Sequence, residues 1–323
     1  MSSPEYLYLI AKPVGRETEL IRAESLALTG TWPDELGIAV SNRFTDTARG
    51  AYVLANVEIL LSVSSKITLD LLYQQICQLG LQGHNFCVRI IKRPKKIPLS
   101  FDQFEVANQI GVRIDGPANL SKPEMEFWLI ITPRRFWFGL KRSISDKQWT
   151  HFNKRPHTTS SSLPSRIARA MVNLTANPED RLLDPCCGTG TILLEGANMG
   201  LQVFGCDLNL KMKEATRKNL AHFGLSGAVA LADARQISST TFGHPFNAVV
   251  TDLPYGISLV KDEERDRQIL ANIRMLAPRA TFVSARDLSQ DLENLGYQIE
   301  TIVQVPKHDR FVRQVFVTRS VSG

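Results

Sequence analysis

The sequence has few cysteines, and their spacing excludes two kinds of scaffold. Only 5 of the 323 residues are cysteine, an odd count, and no two of them have the Cys-x-x-Cys spacing. Cys186 and Cys187 are adjacent and cannot easily bridge each other. These features argue against a disulfide framework and against a structural zinc site. We therefore predict no bound metal, and free thiols in a reducing compartment.

Long hydrophobic runs and a targeting segment are also lacking. The first residues, Met1 to Glu5, place no basic region ahead of an apolar run, and no stretch approaches about 18 uninterrupted apolar residues. We therefore expect a cytoplasmic protein without a membrane segment. Hydrophobic residues make up 43% of the chain, which suffices for globular cores, and the length favours two or three domains.

Acidic residues are slightly fewer than basic residues. The chain has 38 Lys and Arg against 32 Asp and Glu, a formal net charge of +6, and a sequence pI near 9.1. This balance mildly favours a polyanionic partner such as nucleic acid.

The glycine-bearing turn within residues 182–195 lacks one glycine of the dinucleotide fingerprint. The segment is typical of a short strand ending at Asp184, a turn with Gly188 and Gly190, and the first turn of a helix, which presents backbone N–H groups to a ligand. The fingerprint places a third glycine where this chain has Leu193, so a pyrophosphate site is disfavoured. A purely structural turn is the alternative, since such glycines are common in α/β domains.

Two further predicted strands carry a carboxylate at the carboxyl end. Residues 201–206 precede Asp207, which lies at about the distance past the glycines where an acidic residue meets a ribose. Residues 229–231 are followed by Asp233 and Ala234, and Asp233 is suited to accept a hydrogen bond from an adenine amino group. Each aspartate alone is also typical of a cap or a turn. Their succession in this order favours a nucleoside-bearing cofactor.

A fourth predicted strand delivers Asp252, Leu253, Pro254 and Tyr255 at its carboxyl end, the edge where ligands bind in such sheets. This tetrad resembles the Asp/Asn-Pro-Pro-Tyr/Phe tetrad of methyltransferases that act on exocyclic amines of bases, and the resemblance implies such an amine as the acceptor. An exocyclic amine is conjugated with the ring and is a poor nucleophile, so its hydrogens must be held while its lone pair is aimed at a methyl donor. The Asp252 carboxylate and the Pro254 carbonyl suit that task, and Tyr255 can stack on a flipped base. No cysteine lies near Asp252, which disfavours a covalent pyrimidine mechanism.

These motifs resemble those of class I S-adenosylmethionine-dependent methyltransferases. The turn Asp-Pro-Cys-Cys-Gly-Thr-Gly resembles their first motif, and the tetrad Asp-Leu-Pro-Tyr resembles their Asp/Asn-Pro-Pro-Tyr/Phe, with Leu253 as a departure. The run from Lys154 to Leu174 resembles the segment that precedes the first motif in THUMP-linked transfer-RNA guanine-N2 methyltransferases. The resemblance implies S-adenosylmethionine as cofactor. It also implies cofactor contacts from Ser162, Asp184, Gly188, Thr189, Gly190, Asp207, Asp233 and Ala234.

The stretch from Asn85 to Arg142 resembles the THUMP domain of RNA-modifying enzymes, which implies transfer RNA as partner. Its basic residues are suited to neutralise phosphates. They are Arg89, Lys92, Arg93, Lys95, Lys96, Arg134, Arg135, Lys141 and Arg142. Phe136, Trp137 and Phe138 lie among them, either to stack on bases or to pack the core. Further cations, including Arg313, lie on a predicted terminal hairpin and are also candidate RNA contacts.

The predicted fold is α/β, a Rossmann-like class I methyltransferase domain behind an amino-terminal α+β region. We predict a ferredoxin-like domain at 1–60, a THUMP-like domain at 61–143, a linker at 144–162 and the methyltransferase domain at 163–323. The first predicted helix carries Glu17, Glu19 and Glu24, whose spacing is typical of a solvated face.

The expected function is methylation of a guanine N2 in transfer RNA, at guanine 10, by a monomer. The alternatives are guanine 6 as the target, an adenine-N6 methyltransferase of DNA or RNA, and a non-catalytic RNA-binding protein.

Overall fold

The computed structural model describes residues 3–98, 101–243, 245–254, 263–308 and 311–320. The chain divides into two compact units, each built from several segments. The first comprises Met1–Lys12, Thr29–Ala48 and Val53–Ser145, and the second comprises Pro13–Leu28, Arg49–Tyr52 and Asp146–Gly323. Within the described residues, no helix is long and apolar enough to cross a membrane.

The first unit is a six-stranded sheet with two helices. Its strands are β1 (Tyr6–Ile10), β2 (Ile38–Ser41), β3 (Val53–Ser64), β4 (Phe86–Lys92), β5 (Met125–Ile131) and β6 (Arg135–Ile144), and its helices are α2 (Leu69–Gln78) and α3 (Gln103–Gly111). The strand order is β2-β1-β3-β6-β5-β4, and β4–β5 is the parallel pair. Strand β3 extends across residue 60, the predicted boundary between two domains. Its pairing with β6 shifts register between Ile59 and Leu61 and continues on both sides of that point.

Alternation along β5 and β6 determines which aromatic side chains are buried. Phe127, Phe136 and Phe138 belong to the core that α2 and α3 cover, and the rings of Phe127 and Phe138 stack with centroids 5.9 Å apart. Trp137 points to the opposite face and packs against a second cluster, because successive side chains of a strand alternate between faces. The structure therefore supports the packing alternative for these aromatic residues.

The second unit is built on a seven-stranded sheet. Its strands are β7 (Arg181–Asp184), β8 (Gln202–Asp207), β9 (Ala228–Leu231), β10 (Ala248–Asp252), β11 (Arg279–Ser284), β12 (Tyr297–His308) and β13 (Phe311–Ser320). Its helices are α1 (Thr18–Thr29), α4 (Trp149–Phe152), α5 (Ser165–Thr175), α6 (Thr191–Asn198), α7 (Leu210–His222), α8 (Glu263–Arg274) and α9 (Ser289–Asn294); the last residue of α1, Thr29, falls in the first unit.

The order of this sheet is β12-β13-β11-β10-β7-β8-β9. Strands β7 to β11 are parallel to their neighbours among themselves, whereas β13 is antiparallel to β11 and β12. From β7 the chain proceeds outward through β8 and β9, then returns to β10 on the other side of β7. This reversal leaves a crevice at the carboxyl ends of β7 and β10, where ligands bind in open α/β sheets.

Helix α1 packs in the second unit through a buried carboxylate. Glu24 is fully buried. It accepts hydrogen bonds from the backbone N–H groups of Ala51 (2.8 Å) and Tyr52 (2.6 Å) and from the side chain of Asn173 on α5 (2.7 Å). The prediction of a solvated face was therefore wrong for Glu24, because periodicity along one helix carries no information about the segment that later packs on it.

Candidate active site

The strand ends of the second unit enclose a cavity of about 320 Å³, at the lower end of the range for small-molecule sites. Its lining comes from the loop before α5, from the turn between β7 and α6, and from the ends of β8 and β10. Seven predicted site residues line it together, namely Ser162, Asp184, Gly188, Thr189, Asp207, Asp252 and Pro254. Tyr255 lies outside the described residues.

Asp207 holds the glycine turn from the end of β8. One carboxylate oxygen accepts the backbone N–H of Gly188 at 3.0 Å, and the other accepts the N–H of Asn209 at 2.8 Å. Each oxygen has a further lone pair, so the carboxylate can also accept from hydroxyl groups of a ligand in the cavity. The glycine turn and the second strand end are thus one hydrogen-bonded structure.

Asp184 is buried at the floor of the cavity. Its Oδ1 accepts hydrogen bonds from the Thr251 hydroxyl at 2.9 Å and from the Cys186 N–H at 3.2 Å. Burial raises the pKa of Asp184 to about 8, because desolvation outweighs these two donors. The Thr251 bond joins the ends of β7 and β10, the strands on either side of the crevice.

The two motif glycines have left-handed backbone conformations. Gly188 has φ +53° and Gly190 has φ +84°, values that residues with a side chain rarely adopt. Gly190 does not line the cavity, and a Cβ atom there would lie 2.7 Å from Cγ2 of Thr216 on α7. Gly188 has open space around the same position, which fits a turn that a ligand approaches closely.

The loop before α5 forms another wall of the cavity. The Ser162 hydroxyl lies 3.0 Å from the Thr189 hydroxyl, and it accepts the Thr159 N–H at 3.1 Å. Arg313 of β13 donates to the Ser161 carbonyl at 3.3 Å. Only 2% of Arg313 is exposed, so its prediction as an RNA contact was wrong; sequence alone did not show that the hairpin returns to this loop.

The three described residues of the tetrad, Asp252, Leu253 and Pro254, all line the cavity. Leu253 is also buried in the main hydrophobic cluster of the second unit. The departure from the commonest tetrad therefore keeps an apolar side chain at a position that packs against the core. The Pro254 carbonyl accepts a hydrogen bond from Arg265 of α8 at 3.0 Å. A carbonyl has two lone pairs, so it can accept a second hydrogen bond from a ligand in the cavity.

Asp233 and Ala234 are not among the described residues that line the cavity. The Asp233 carboxylate forms an ion pair with Arg235, with a shortest N···O distance of 2.5 Å. This hydrogen bonding lowers the pKa of Asp233. The Ala234 carbonyl accepts from the Asn272 side chain at 2.8 Å. Their role in binding adenine stays a prediction.

The cysteines of the turn are poor candidates for a nucleophile. Burial raises the pKa of the Cys186 and Cys187 thiols well above the ordinary range, whereas a reactive cysteine needs a lowered pKa. The absence of covalent cysteine chemistry stays a prediction. Within the described residues, no group of three or more His, Cys, Asp or Glu side chains is placed to hold a metal ion.

Several cations proposed to contact RNA are engaged with carboxylates of their own sheet. Arg89 and Lys141 both form ion pairs with Glu126, at 2.6 Å each. Arg142 pairs with Glu58 at 3.0 Å. These three cations therefore carry less unbalanced charge than the sequence suggests, because two neighbouring carboxylates, Glu126 and Glu58, compensate part of it.

Other cations of the same unit are more accessible. Arg134 and Arg135 are exposed, as are Lys95 and Lys96, in the loop that follows β4. Lys92 and Arg93 are half-buried. Lys95 and Lys96 therefore combine exposure with proximity in sequence, which suits them to contact a phosphate backbone.

The sequence analysis did not identify two residues that contact the glycine turn, because they belong to no recognised motif. Thr216 and Asn219 lie one turn apart on α7, and both are fully buried. The available sequence signal was their i, i+3 spacing on the buried stripe of the helix that follows Asp207. Buried polar side chains are ordinarily hydrogen-bonded, but their partners become visible only in the structure.

The strand order of the second unit, with its site at the crevice between β7 and β10, defines a class I methyltransferase fold. The methyltransferase domain of the RMKL-like family matches residues 153–273. Three archaeal relatives identify the family within this class of methyltransferases.

The tRNA (guanine(10)-N2)-dimethyltransferase of Pyrococcus abyssi is 38% identical over 199 residues, covering 58% of this chain and 59% of the relative. Its namesake in Methanothermobacter thermautotrophicus is 35% identical over 196 residues, covering 57% and 56%. The "Probable tRNA (guanine(10)-N2)-dimethyltransferase" of Methanothermococcus thermolithotrophicus is 31% identical over 138 residues, covering 40% of this chain and 85% of that relative. The chain belongs to the tRNA guanine-N2 methyltransferase family, although it spans less than two thirds of the first two relatives.

Proposed function

We propose that this protein transfers a methyl group from S-adenosylmethionine to the N2 amine of a guanine in transfer RNA. The observation that carries the proposal is one cavity lined by both motif groups, Asp207 with the glycine turn and Asp252 with Pro254. A donor and an acceptor amine must meet for direct transfer, and this cavity brings their predicted binding groups together. Relatives named for the guanine(10)-N2 reaction support guanine 10 as the target.

The chain offers a separate group for each part of the donor. S-adenosylmethionine supplies an electrophilic methyl group on a positively charged sulfur. The Asp207 carboxylate is suited to accept its ribose hydroxyls, and the turn at Gly188 leaves room for close approach. The hydroxyls of Ser162 and Thr189, which also line the cavity, suit the polar methionine end.

The acceptor amine is held by Asp252 and Pro254. Each offers an oxygen acceptor, so the two N–H bonds of the amine point at protein and its lone pair is directed towards the donor. Transfer would replace the carbon–sulfur bond of the donor with a nitrogen–carbon bond, and the nitrogen would then lose a proton. Asp252, which holds the amine, is the predicted acceptor for that proton. Positioning of this kind accelerates a transfer without a covalent enzyme intermediate.

The amino-terminal unit supports transfer RNA as the substrate. Its exposed cations Arg134, Lys95 and Lys96 can neutralise phosphates, and the relatives' names specify transfer RNA. We infer that this unit contacts the RNA while the second unit receives the target base.

Nucleoside analysis tests the proposed reaction. The full chain is incubated with unmodified transfer RNA and labelled S-adenosylmethionine, and the RNA is digested and its nucleosides are identified. We expect N2-methylguanine, placed at guanine 10 by site mapping. Methylated adenine without N2-methylguanine would overturn the substrate, and would favour the adenine-N6 alternative.

The role of Asp252 is tested in the same assay. Asp252→Ala should lower turnover by about 100-fold or more, the range for loss of a positioned acid–base group. Its affinity for S-adenosylhomocysteine should stay within a few-fold of the wild type. Asp287→Ala is the control, because Asp287 is an exposed carboxylate after β11 that does not line the cavity. Unchanged turnover in Asp252→Ala would contradict the proposed mechanism.

A further inference from the structure

Two side chains of helix α7 donate hydrogen bonds to the glycine turn. Thr216 donates its hydroxyl hydrogen to the Gly188 carbonyl at 2.7 Å, and the Asn219 amide donates to the Thr189 carbonyl at 2.8 Å. Consecutive carbonyl groups of the turn are thus both bound to side chains one helical turn apart. Side chains at i and i+3 lie on the same face of a helix, so a single rigid element fixes both peptide groups.

Asn219 also binds the loop that forms the opposite wall. Its side chain accepts the His157 N–H at 3.0 Å and donates to the His157 carbonyl at 2.8 Å. One fully buried amide therefore joins the glycine turn to the loop that carries Thr159 and Ser162. The Ser162–Thr189 contact at 3.0 Å closes the same two walls from the cavity side.

Neither Thr216 nor Asn219 lines the cavity, so both act through the residues that do. The carbonyl groups of the turn bind α7 on one side. On the other side, the Gly188 N–H donates to the Asp207 carboxylate at 3.0 Å. This arrangement fixes the turn, the strand end and the loop before a ligand arrives. Preorganisation of that kind increases affinity by removing the entropy cost of ordering the site.

We propose that Thr216 and Asn219 are positioning residues that set the affinity for the methyl donor. This inference rests on the proposed function, since it takes S-adenosylmethionine as the ligand of the cavity. It assigns the two residues to donor binding and not to capture of the RNA. It also explains why Gly190 must lack a side chain, because its Cβ atom would displace Thr216.

The first test compares two nearly isosteric changes at one position. Thr216→Val keeps the shape but removes the hydroxyl, and Thr216→Ser keeps the hydroxyl. Calorimetric titration of the full chain with S-adenosylhomocysteine should show a dissociation constant at least about tenfold higher for the valine variant. The serine variant should stay within a few-fold of the wild type. Equal affinities for the valine variant and the wild type would overturn the inference.

Asn219→Ala extends the test to the loop. We expect a comparable or larger loss of affinity, with the KM for transfer RNA and the kcat at saturating donor changed by less than about threefold. The control is Lys218→Ala, which alters the exposed neighbour on the same helix and should leave the affinity unchanged. A variant that lowered kcat or raised the KM for transfer RNA while binding the donor normally would contradict the assignment.

Hydrogen exchange of the free protein gives a readout that is independent of activity. The amides of residues 188–190 should exchange faster in Thr216→Val and in Asn219→Ala, whereas those of β11 should not. A wild-type chain that fails to bind S-adenosylhomocysteine would contradict the proposed function itself. Normal binding by the wild type with unaltered binding by both variants would contradict the positioning role alone.

Discussion

Two glycines with nearly the same backbone conformation have different surroundings. Gly190 has φ +84° and Gly200 has φ +82°, but a Cβ atom would meet Thr216 at 2.7 Å in the first case and nothing within 4 Å in the second. The left-handed conformation costs a residue with a side chain about 1–2 kcal/mol. The steric term at Gly190 adds to that cost, because Thr216 is buried and held by the turn.

Substituting each glycine with alanine therefore separates conformation from crowding. Gly190→Ala should lower the free energy of unfolding by about 1–3 kcal/mol more than Gly200→Ala does, the range for an overpacked buried site. Urea denaturation of both variants measures the difference. Equal losses would show that the turn shifts to accommodate the methyl group at no cost.

The buried carboxyl group of Asp184 should make stability depend on pH. Its pKa is raised to about 8 from about 3.9 in an unfolded chain, so the folded protein retains a proton that the unfolded chain releases. The stability from this group is fully present below about pH 4 and is lost as the pH rises towards 8. Asp184→Asn cannot titrate but keeps an oxygen that accepts from Thr251 and Cys186.

The variant should therefore gain stability relative to the wild type as the pH rises from 5 to 7, by up to about 1.4 kcal/mol per pH unit. Urea denaturation at several pH values measures this difference. Asp287→Asn is the control, because Asp287 is exposed and hydrogen bonds from Ser289 lower its pKa. A constant difference between Asp184→Asn and the wild type would show that Asp184 is ionised in the folded protein.

At the scale of single residues, the sequence identified which side chains belong to the site better than it predicted their burial and their hydrogen-bond partners. Asp207, Asp252 and Gly188 were recognised because strand ends and a glycine turn have characteristic patterns, and the structure places them in one cavity. Burial depends on distant segments, so the packing of Leu253 in the core was not predictable. Arg235 lies only two residues after Asp233, but sequence does not show that the Asp233 carboxylate pairs with it. The contact of Asp233 with adenine stays a prediction.

At the scale of elements, the contact of α1 with α5 is held by a polar group instead of an apolar stripe alone. Glu24→Ala would leave the buried N–H groups of Ala51 and Tyr52 and the Asn173 amide without this acceptor. Each unsatisfied buried donor costs about 1–3 kcal/mol. We expect the free energy of unfolding to fall by at least about 2 kcal/mol, measured by urea denaturation.

Arg22→Ala provides the comparison on the same helix, because Arg22 is exposed. Exposed substitutions typically change stability by less than about 0.5 kcal/mol. If Glu24→Ala proved as mild as Arg22→Ala, water would be replacing the carboxylate and the contact would not stabilise the unit.

Sequence predicted the elements of the second unit well, and the structure confirms the α/β fold with its terminal antiparallel hairpin. Apolar strands that end in Asp184, Asp207 and Asp252 give strong local signals, and their order follows from the family resemblance. The amino-terminal elements were also recognised, and the domain boundary near residue 60 stays a prediction. Alternation along β3 shows a strand, yet it does not show that one sheet continues past residue 60.

At the scale of the whole molecule, the net charge of +6 predicts binding to RNA that weakens as salt rises. The exposed pair Lys95 and Lys96 should contribute to this salt-dependent part of the binding free energy. Changing both to alanine should weaken transfer-RNA binding and lower the slope of log affinity against log salt by about 1–2. Filter binding or fluorescence anisotropy at several salt concentrations measures the slope.

Lys122→Ala is the matched control, because Lys122 is an exposed lysine of the same unit outside the predicted basic set. It should leave the slope unchanged. A change of slope in Lys122→Ala that is half the change in the double variant, and so equal for each lysine removed, would indicate diffuse attraction by the overall charge, without a defined RNA contact in this loop.

The second unit includes residues 13–28 and 49–52, which precede most of the first unit in the chain. Recombination at a single crossover near residue 146 would therefore inherit the seven-stranded sheet without helix α1 and without the acceptor that Glu24 gives to Asn173. Exchange of the amino-terminal half between homologous genes would have to preserve these two short inserts. The path of the chain thus makes a functional exchange of the amino-terminal half depend on two segments that belong to the other unit.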